Sequence, residues 1–131
     1  MTRSKLLAGL IGALLAGPGT LAAQAHARDS LPAGVTAQMI ANGKQIYAGR
    51  GVCYACHGQD AAGGMGPNLA DTVWLHSRGE YERIVATILA GVTARESKSG
   101  IMMPPRGGSA ISDDDARAVA AYIWSLSRAT K

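Results

Sequence analysis

The sequence predicts an all-α domain of three to four helices, and three observations support this prediction. Apolar residues recur three and four positions apart in three separate segments, which is the spacing of one face of a helix. Each of these segments is bounded by a capping residue or by glycine. The chain shows no pair of alternating apolar and polar segments and no internal repeat, so a β-sheet and a solenoid are both disfavoured.

The first 27 residues are typical of an export signal. Arg3 and Lys5 precede an apolar run, residues 6–23, that glycine and proline interrupt. The uninterrupted part is too short to span a bilayer, which takes roughly 20 apolar residues, and small residues follow it. We expect cleavage after Ala27, with Ala25 as the second choice and an uncleaved anchor as the alternative. The mature protein is therefore expected in the periplasm, without a stable membrane anchor.

The rest of the chain predicts one small domain. Residues 28–35 carry Pro32 and Gly34 and are typical of a linker, and residues 36–131 form the domain. After cleavage, eleven Lys and Arg face nine Asp and Glu, a net charge of +2. No basic stretch contains interleaved aromatic residues, so this composition argues against nucleic-acid binding.

Local signals place the helices. The first runs from Thr36, as N-cap, to about Tyr47, and Gly-Arg-Gly at 49–51 stops it. The second covers residues 80–91 and ends at glycine. The third starts at Ser112, with three aspartates in the first turn, where the helix dipole favours anions. The apolar faces comprise Met39, Ile40 and Tyr47, then Ile84, Val85, Ile88 and Leu89, then Ala116, Val119, Ala120, Ile123 and Leu126.

A short motif between the first two helices indicates the cofactor. The chain reads Cys53-Tyr54-Ala55-Cys56-His57, and the glycine-rich loop 58–70 follows. In an exported protein, C-x-x-C-H is typical of covalent haem attachment. The two thiols can each add to a haem vinyl group from one helical turn, which leaves the adjacent imidazole beneath the iron. The sequence therefore predicts one covalently bound haem c, wrapped by the helices, with Cys53 and Cys56 as attachment points and His57 as an axial ligand.

The second axial ligand is chosen among four side chains. Met103 precedes Pro104, and a residue before proline is pushed toward the extended backbone that can present a side chain to a planar partner. We favour Met103 and keep its neighbour Met102 as the alternative. Met65 is expected to pack or to be exposed, and His76 to lie at the surface or at the haem edge. The region 93–110 around these methionines is predicted to be a loop.

The order of these features resembles class I monohaem cytochrome c. The resemblance covers about residues 36–128. Residues 66–75 are most similar to the haem domains of cbb3-oxidase subunits and of small cytochromes that serve periplasmic dehydrogenases. The matching residues are Gly43 and Tyr47, the C-x-x-C-H string, Gly66-Pro67-Asn68-Leu69, Asp71, Trp74-Leu75, Met103-Pro104, Val119 and Tyr122.

The resemblance implies further details of the site. The first and last helices are expected to cross closely at Gly43. The carbonyl of Pro67 is expected to accept a hydrogen bond from Nδ1 of His57 and so to orient the imidazole. We also expect Leu69 to pack on the porphyrin, and Trp74 either to donate to a haem propionate or to fill the base of the pocket.

Iron held by one histidine and one methionine has no vacant position, so electron transfer is favoured over catalysis at the metal. We predict a periplasmic one-electron carrier, not an enzyme and monomeric when free, between a dehydrogenase or other respiratory donor and a terminal acceptor. The alternative is a dedicated haem c subunit of a periplasmic dehydrogenase or oxidase complex. A gas-binding haem protein would need an open sixth position. A thiol oxidoreductase or zinc site would need a βαβ pattern or further ligands.

Basic residues flank the two segments that are expected to frame the haem edge. They favour an acidic face on the redox partner, with ordinary solvated charges as the alternative. These residues are Lys44, Arg50, Arg95, Lys98 and Arg106.

Overall fold

A computed structural model describes residues 30–129 and shows four α-helices in this part of the chain. They are α1 (Ala37–Ala48), α2 (Tyr54–His57), α3 (Tyr81–Ala90) and α4 (Asp113–Ala129). A 3-10 helix, Pro105–Gly108, precedes α4. No β-strand forms within the described residues, which confirms the predicted all-α class. The predicted signal segment, residues 1–27, lies outside them.

The helix starts follow the predicted capping residues. Thr36 caps α1, because its hydroxyl accepts the backbone N–H of Met39 at 3.1 Å. At α4, the hydroxyl of Ser112 accepts the backbone N–H of Asp115 at 3.1 Å, and the Asp115 carboxylate accepts the N–H of Ser112 at 3.2 Å. This reciprocal pair is a capping box that satisfies two backbone donors otherwise left without partners.

Helices α1 and α4 cross at Gly43. A Cβ atom at this position would lie 3.0 Å from the Cβ of Tyr122 and closer still to the backbone carbonyl of Ala118. Only glycine therefore lets the two backbones approach this closely. Beside the crossing, the rings of Tyr47 and Tyr122 meet edge to face, with centroids 5.5 Å apart.

Helix α3 packs against α4 on another side of the core. The hydroxyl of Tyr81 donates to the backbone carbonyl of Arg117 at 3.2 Å, and the guanidinium of Arg117 pairs with Glu82 at 3.1 Å. The buried face of α3 is completed by Ile84, Val85 and Ile88. Between residues 30 and 129, no helix has both the length and the apolar character that crossing a membrane would require.

Candidate haem-binding site

A cavity of about 860 Å³, including its open mouth, lies beside the core. It is lined by residues of α2, α3 and α4 and by the loops between them, and no Asp, Glu, Lys or Arg lines it. Six of the seven site residues singled out from the sequence line this cavity: Cys53, His57, Pro67, Leu69, Trp74 and Met103. The seventh, Cys56, is exposed and does not line it. The fold thus brings three separate parts of the chain to one mainly apolar space.

His57 is held in a fixed orientation at the end of α2. The residue is only 8% exposed, and Nδ1 lies 2.9 Å from the carbonyl oxygen of Pro67. Because a carbonyl oxygen can only accept, Nδ1 is the donor of this hydrogen bond, and in the neutral imidazole Nε2 then carries the lone pair. This contact is the one that the resemblance implied.

The loop after α2 folds back tightly enough to place Pro67 beside the imidazole. The backbone N–H of Gly66 donates to the carbonyl of Cys56 at 2.8 Å, and the N–H of Gly63 donates to that of His57 at 2.8 Å. A Cβ atom at Gly66 would lie 2.9 Å from Cε1 of His57, so a larger residue would push the ring away. The sequence indicated only that these glycines belong to an irregular loop. In the structure they also position His57.

The two cysteines occupy different environments. Cys53 is half-buried at the cavity, and its thiol donates weakly to the carbonyl of Gly51 at 3.4 Å. Burial raises the pKa of the Cys53 thiol to about 11, so it stays protonated at neutral pH. Cys56 is exposed, and neither cysteine is in a disulfide. Neither sulfur is therefore committed to a disulfide.

Met103 is held by an isolated antiparallel bridge to Val92, the second residue beyond α3. The backbone N–H of Val92 donates to the carbonyl of Met103 at 2.7 Å, and the N–H of Met103 donates to the carbonyl of Val92 at 2.9 Å. Both backbone groups of Met103 are thus used in one pair of bonds. This pairing fixes the register of the loop and places the side chain of Met103 among the cavity residues.

The other three candidates for the second ligand differ in position. Met102 is 55% exposed and Met65 is 61% exposed, and neither lines the cavity. Since neighbouring residues in extended backbone point to opposite sides, one register cannot place both Met102 and Met103 in the cavity. His76 does line the cavity, at the wall that also contains Trp74.

Much of the remaining wall comes from the helix faces already predicted to be apolar, including Ile84, Ile88, Val119 and Ile123. The polar residues Ser97 and Ser99 also line the cavity, and sequence reasoning missed them. A loop of small polar residues carries no periodic signal, so only the folded chain shows that it faces the cavity.

The residues around the cavity fit a haem group by their chemistry. One imidazole has a free Nε2, one thioether comes from a separate loop, and the surrounding wall is apolar, as a porphyrin requires. Within residues 30–129, no three or more His, Cys, Asp or Glu side chains converge as a metal site would need. A zinc site built from Cys53, Cys56 and His57 therefore gains no further ligand from this part of the chain.

Comparison with known proteins places the chain among cytochromes. The sequence profile of the family described as cytochrome c oxidase, cbb3-type, subunit III matches residues 38–123. The cbb3-type cytochrome c oxidase subunit CcoP of Rubrivivax gelatinosus is 38% identical over 93 residues, which are 70% of this chain and 27% of that protein. The corresponding subunit FixP of Rhizobium meliloti (strain 1021) is 37% identical over 91 residues, 67% of this chain and 28% of that protein.

These relatives are much longer than the present chain, which spans little more than a quarter of their length. Among solved structures, cytochrome cL of the marine methylotroph Methylophaga aminisulfidivorans aligns with a TM-score of 0.51 at 20% identity. The alignment covers 83% of this chain and 67% of cytochrome cL. At that identity the likeness concerns the fold, and it agrees with the predicted cytochrome c architecture.

Proposed function

Because this chain belongs to the cbb3-type cytochrome c oxidase subunit III family of haem cytochromes, we propose that it is a periplasmic one-electron carrier with a single haem c. Its relatives are subunits named as parts of oxidases, and the chain is accordingly an electron-transfer component rather than an enzyme in its own right. The observation that carries the finer proposal is the single apolar cavity shared by Cys53, His57 and Met103.

Each of these residues has a distinct task in the proposal. Cys53 and Cys56 attach the group covalently, His57 binds through Nε2, and Met103 binds through its thioether sulfur. A haem c bound in this way supplies a one-electron iron couple and no vacant coordination position. The carbonyl of Pro67 keeps the proton on Nδ1, so the imidazole can neither rotate nor present the wrong nitrogen.

The type of ligand and the wall of the cavity suit a haem that changes between two oxidation states. The soft thioether favours the reduced state and raises the potential above that of two imidazoles. Leu69, Ile88 and Val119 line the cavity with apolar surface, and no Asp, Glu, Lys or Arg is among its lining residues. Trp74 is the lining residue with a polar N–H on a large apolar body, which suits the edge of a propionate-bearing ring.

Two tests address this proposal directly. The intact mass of protein produced with a c-type maturation system should exceed that of the polypeptide by one haem, and the haem should stay with the denatured protein after acid-acetone extraction. Cys53→Ser and Cys56→Ser should each leave at most one thioether, visible in the pyridine haemochrome spectrum. Extractable haem, or two haems per chain, would overturn the proposal.

A dedicated haem subunit is the second candidate, and one observation favours it: the curated relatives are oxidase subunits. Co-purification separates the two. A free carrier should elute alone and as a monomer at both low and high salt, whereas a dedicated subunit should remain with its partner at high salt. Placement in the periplasm rests on residues 1–27, and the amino-terminal sequence of the mature protein tests it.

A further inference from the structure

A second groove shares a wall with the haem cavity. The segment 74–77 lines both, so one stretch of four residues separates the cavity from an open groove of about 700 Å³ on its other side. The remaining residues of the groove are all charged: Arg78, Glu80, Arg83 and Lys98. This groove is called the basic groove below.

The basic groove carries an excess of positive charge. Three cations and the single carboxylate of Glu80 give it a net charge of +2. Glu80 is engaged, because its carboxylate accepts the backbone N–H of Arg78 at 2.9 Å. That hydrogen bond, together with the charges of Arg78 and Arg83, lowers the pKa of Glu80, so it is ionised at neutral pH. Glu96 is a second carboxylate near this wall, since it interacts electrostatically with His76, but it does not line the groove. Including Glu96 in the sum would still leave a net charge of +1.

These cations differ from most other arginines of the domain. Within residues 30–129, Arg78, Arg83 and Lys98 form no ion pair. The ion pairs of this part of the chain are Arg50 with Asp115, Arg106 with Asp113 at 2.8 Å, and Arg117 with Glu82 at 3.1 Å. Arg50 and Arg106, two of the basic residues expected from the sequence beside the haem edge, are thus already neutralised within the domain. Three of the cations that form no ion pair lie together at the basic groove instead.

The shared wall offers a short route for an electron. Trp74 lines both the cavity and the groove, and its indole packs so closely on Gly79 that a Cβ atom there would overlap Nε1. The ring is therefore held in place with a π-system between the two spaces. No charged side chain intervenes on the cavity side of this wall.

We propose that an acidic face of a redox partner docks in the basic groove and exchanges its electron with the haem across the wall formed by residues 74–77. The inference rests on the proposed function, since it needs a haem in the cavity. Unpaired exposed cations steer an acidic surface toward this wall and make the encounter dependent on ionic strength. The contact would be small and short-lived, as carrier exchange requires.

Hexacyanoferrate(III), a small anion that accepts one electron from the reduced protein to give hexacyanoferrate(II), is the probe. Its reduction is followed by stopped flow for Arg83→Glu and Lys98→Glu, with Arg128→Glu as the matched control. Arg128 is an exposed cation that lines neither the cavity nor the groove, and its reversal changes the net charge equally. At low salt, each charge reversal in the groove should slow the reaction by about tenfold, whereas the control variant should slow it by less than about twofold. High salt should remove this difference because it screens the exposed charges.

A change of opposite sign sharpens the test. Glu80→Gln removes the only carboxylate of the groove while an amide oxygen can still accept the N–H of Arg78, so it should accelerate the reaction at low salt. Equal slowing by Arg128→Glu and the groove reversals would overturn the proposal. So would unchanged rates combined with loss of binding to phosphatidylglycerol vesicles, which would assign the groove to an anionic membrane. Wild-type protein without haem would overturn both the proposed function and this inference, whereas haem-loaded variants with equal rates overturn the inference alone.

Discussion

Gly91 provides a demanding test of how Met103, the proposed second ligand, is positioned. It ends α3 with φ +72° and ψ −169°, a conformation that is essentially restricted to glycine. A Cβ atom here would lie 2.7 Å from the backbone nitrogen of Pro105 and 2.8 Å from the carbonyl carbon of Pro104, and closer still to the carbonyl oxygen of Met103. Every one of these atoms belongs to the backbone of the loop that carries Met103, so no side-chain rotation relieves the overlap.

The expected effect of Gly91→Ala has two parts. Backbone strain at this conformation costs about 1–3 kcal/mol of stability. In addition, ordinary contact begins near 3.4 Å, so Pro105 would have to move about 0.7 Å away from position 91. That movement pulls on the two hydrogen bonds between Val92 and Met103. If Met103 is the second ligand, as proposed, its sulfur would be withdrawn from the haem iron. We therefore expect the variant to lose the weak far-red absorption of sulfur-ligated ferric iron, to have a lower potential and to bind carbon monoxide.

Gly100 supplies the matched control. It also has a positive φ, +80°, and lies in the same loop, yet no atom is within 4 Å of the Cβ position. Gly100→Ala should therefore cost about 1–2 kcal/mol through backbone strain alone and keep the far-red band. The two variants are compared by thermal denaturation and by the ferric spectrum. If Gly91→Ala keeps both the band and the potential of the wild type, the claim that this turn positions Met103 is wrong.

Two further substitutions test the fold. Gly43→Ala places a Cβ against the backbone of α4, so it should destabilise the haem-loaded protein by about 1–3 kcal/mol, measured by urea titration, even though alanine is the better helix former. A variant as stable as the wild type, or more stable, would contradict the close crossing. Hydrogen bonds from Arg50, first, and from Ser112 lower the pKa of Asp115 in the folded protein. The ionised carboxylate therefore stabilises the fold above the unfolded pKa of about 3.9, and this contribution is lost as the pH falls through the lower folded pKa. Asp115→Asn should accordingly be less stable than the wild type at neutral pH, and the difference should shrink on acidification below about pH 4; a constant difference would mean that the charge of Asp115 plays no part.

The elements that the sequence predicted well are those with local causes. Thr36 and Ser112 cap their helices through bonds to residues three positions away, which a short window of sequence contains. The C-x-x-C-H string is local as well. Helix bounds agree to within about one residue for the same reason, as at α3, Tyr81–Ala90.

The details that were not predicted from the sequence depend on contacts between residues far apart in the chain. The pairing of Val92 with Met103 joins residues eleven positions apart, and no periodic pattern in the sequence indicates it. The sequence identified Gly91 only as a helix stop, whereas in the structure it also packs against the backbone of the loop that carries Met103. In the same way, Arg106 was expected to be one of the basic residues that face a redox partner, but the ion pair with Asp113 neutralises its charge. Choosing between adjacent methionines likewise requires the register that the bridge defines.

The ferric far-red spectra of Met103→Ala and Met102→Ala decide whether Met103 is the second axial ligand. We expect Met103→Ala to abolish the band of thioether-ligated iron, to lower the potential and to admit cyanide. Met102→Ala removes an exposed side chain outside the cavity and should change little. Loss of the band in Met102→Ala and its survival in Met103→Ala would shift the ligand by one position. Survival of the band in both variants would assign the sulfur to a methionine outside this pair, with Met65 as the candidate. Absence of the band from the wild type would contradict sulfur ligation and make His76 the candidate.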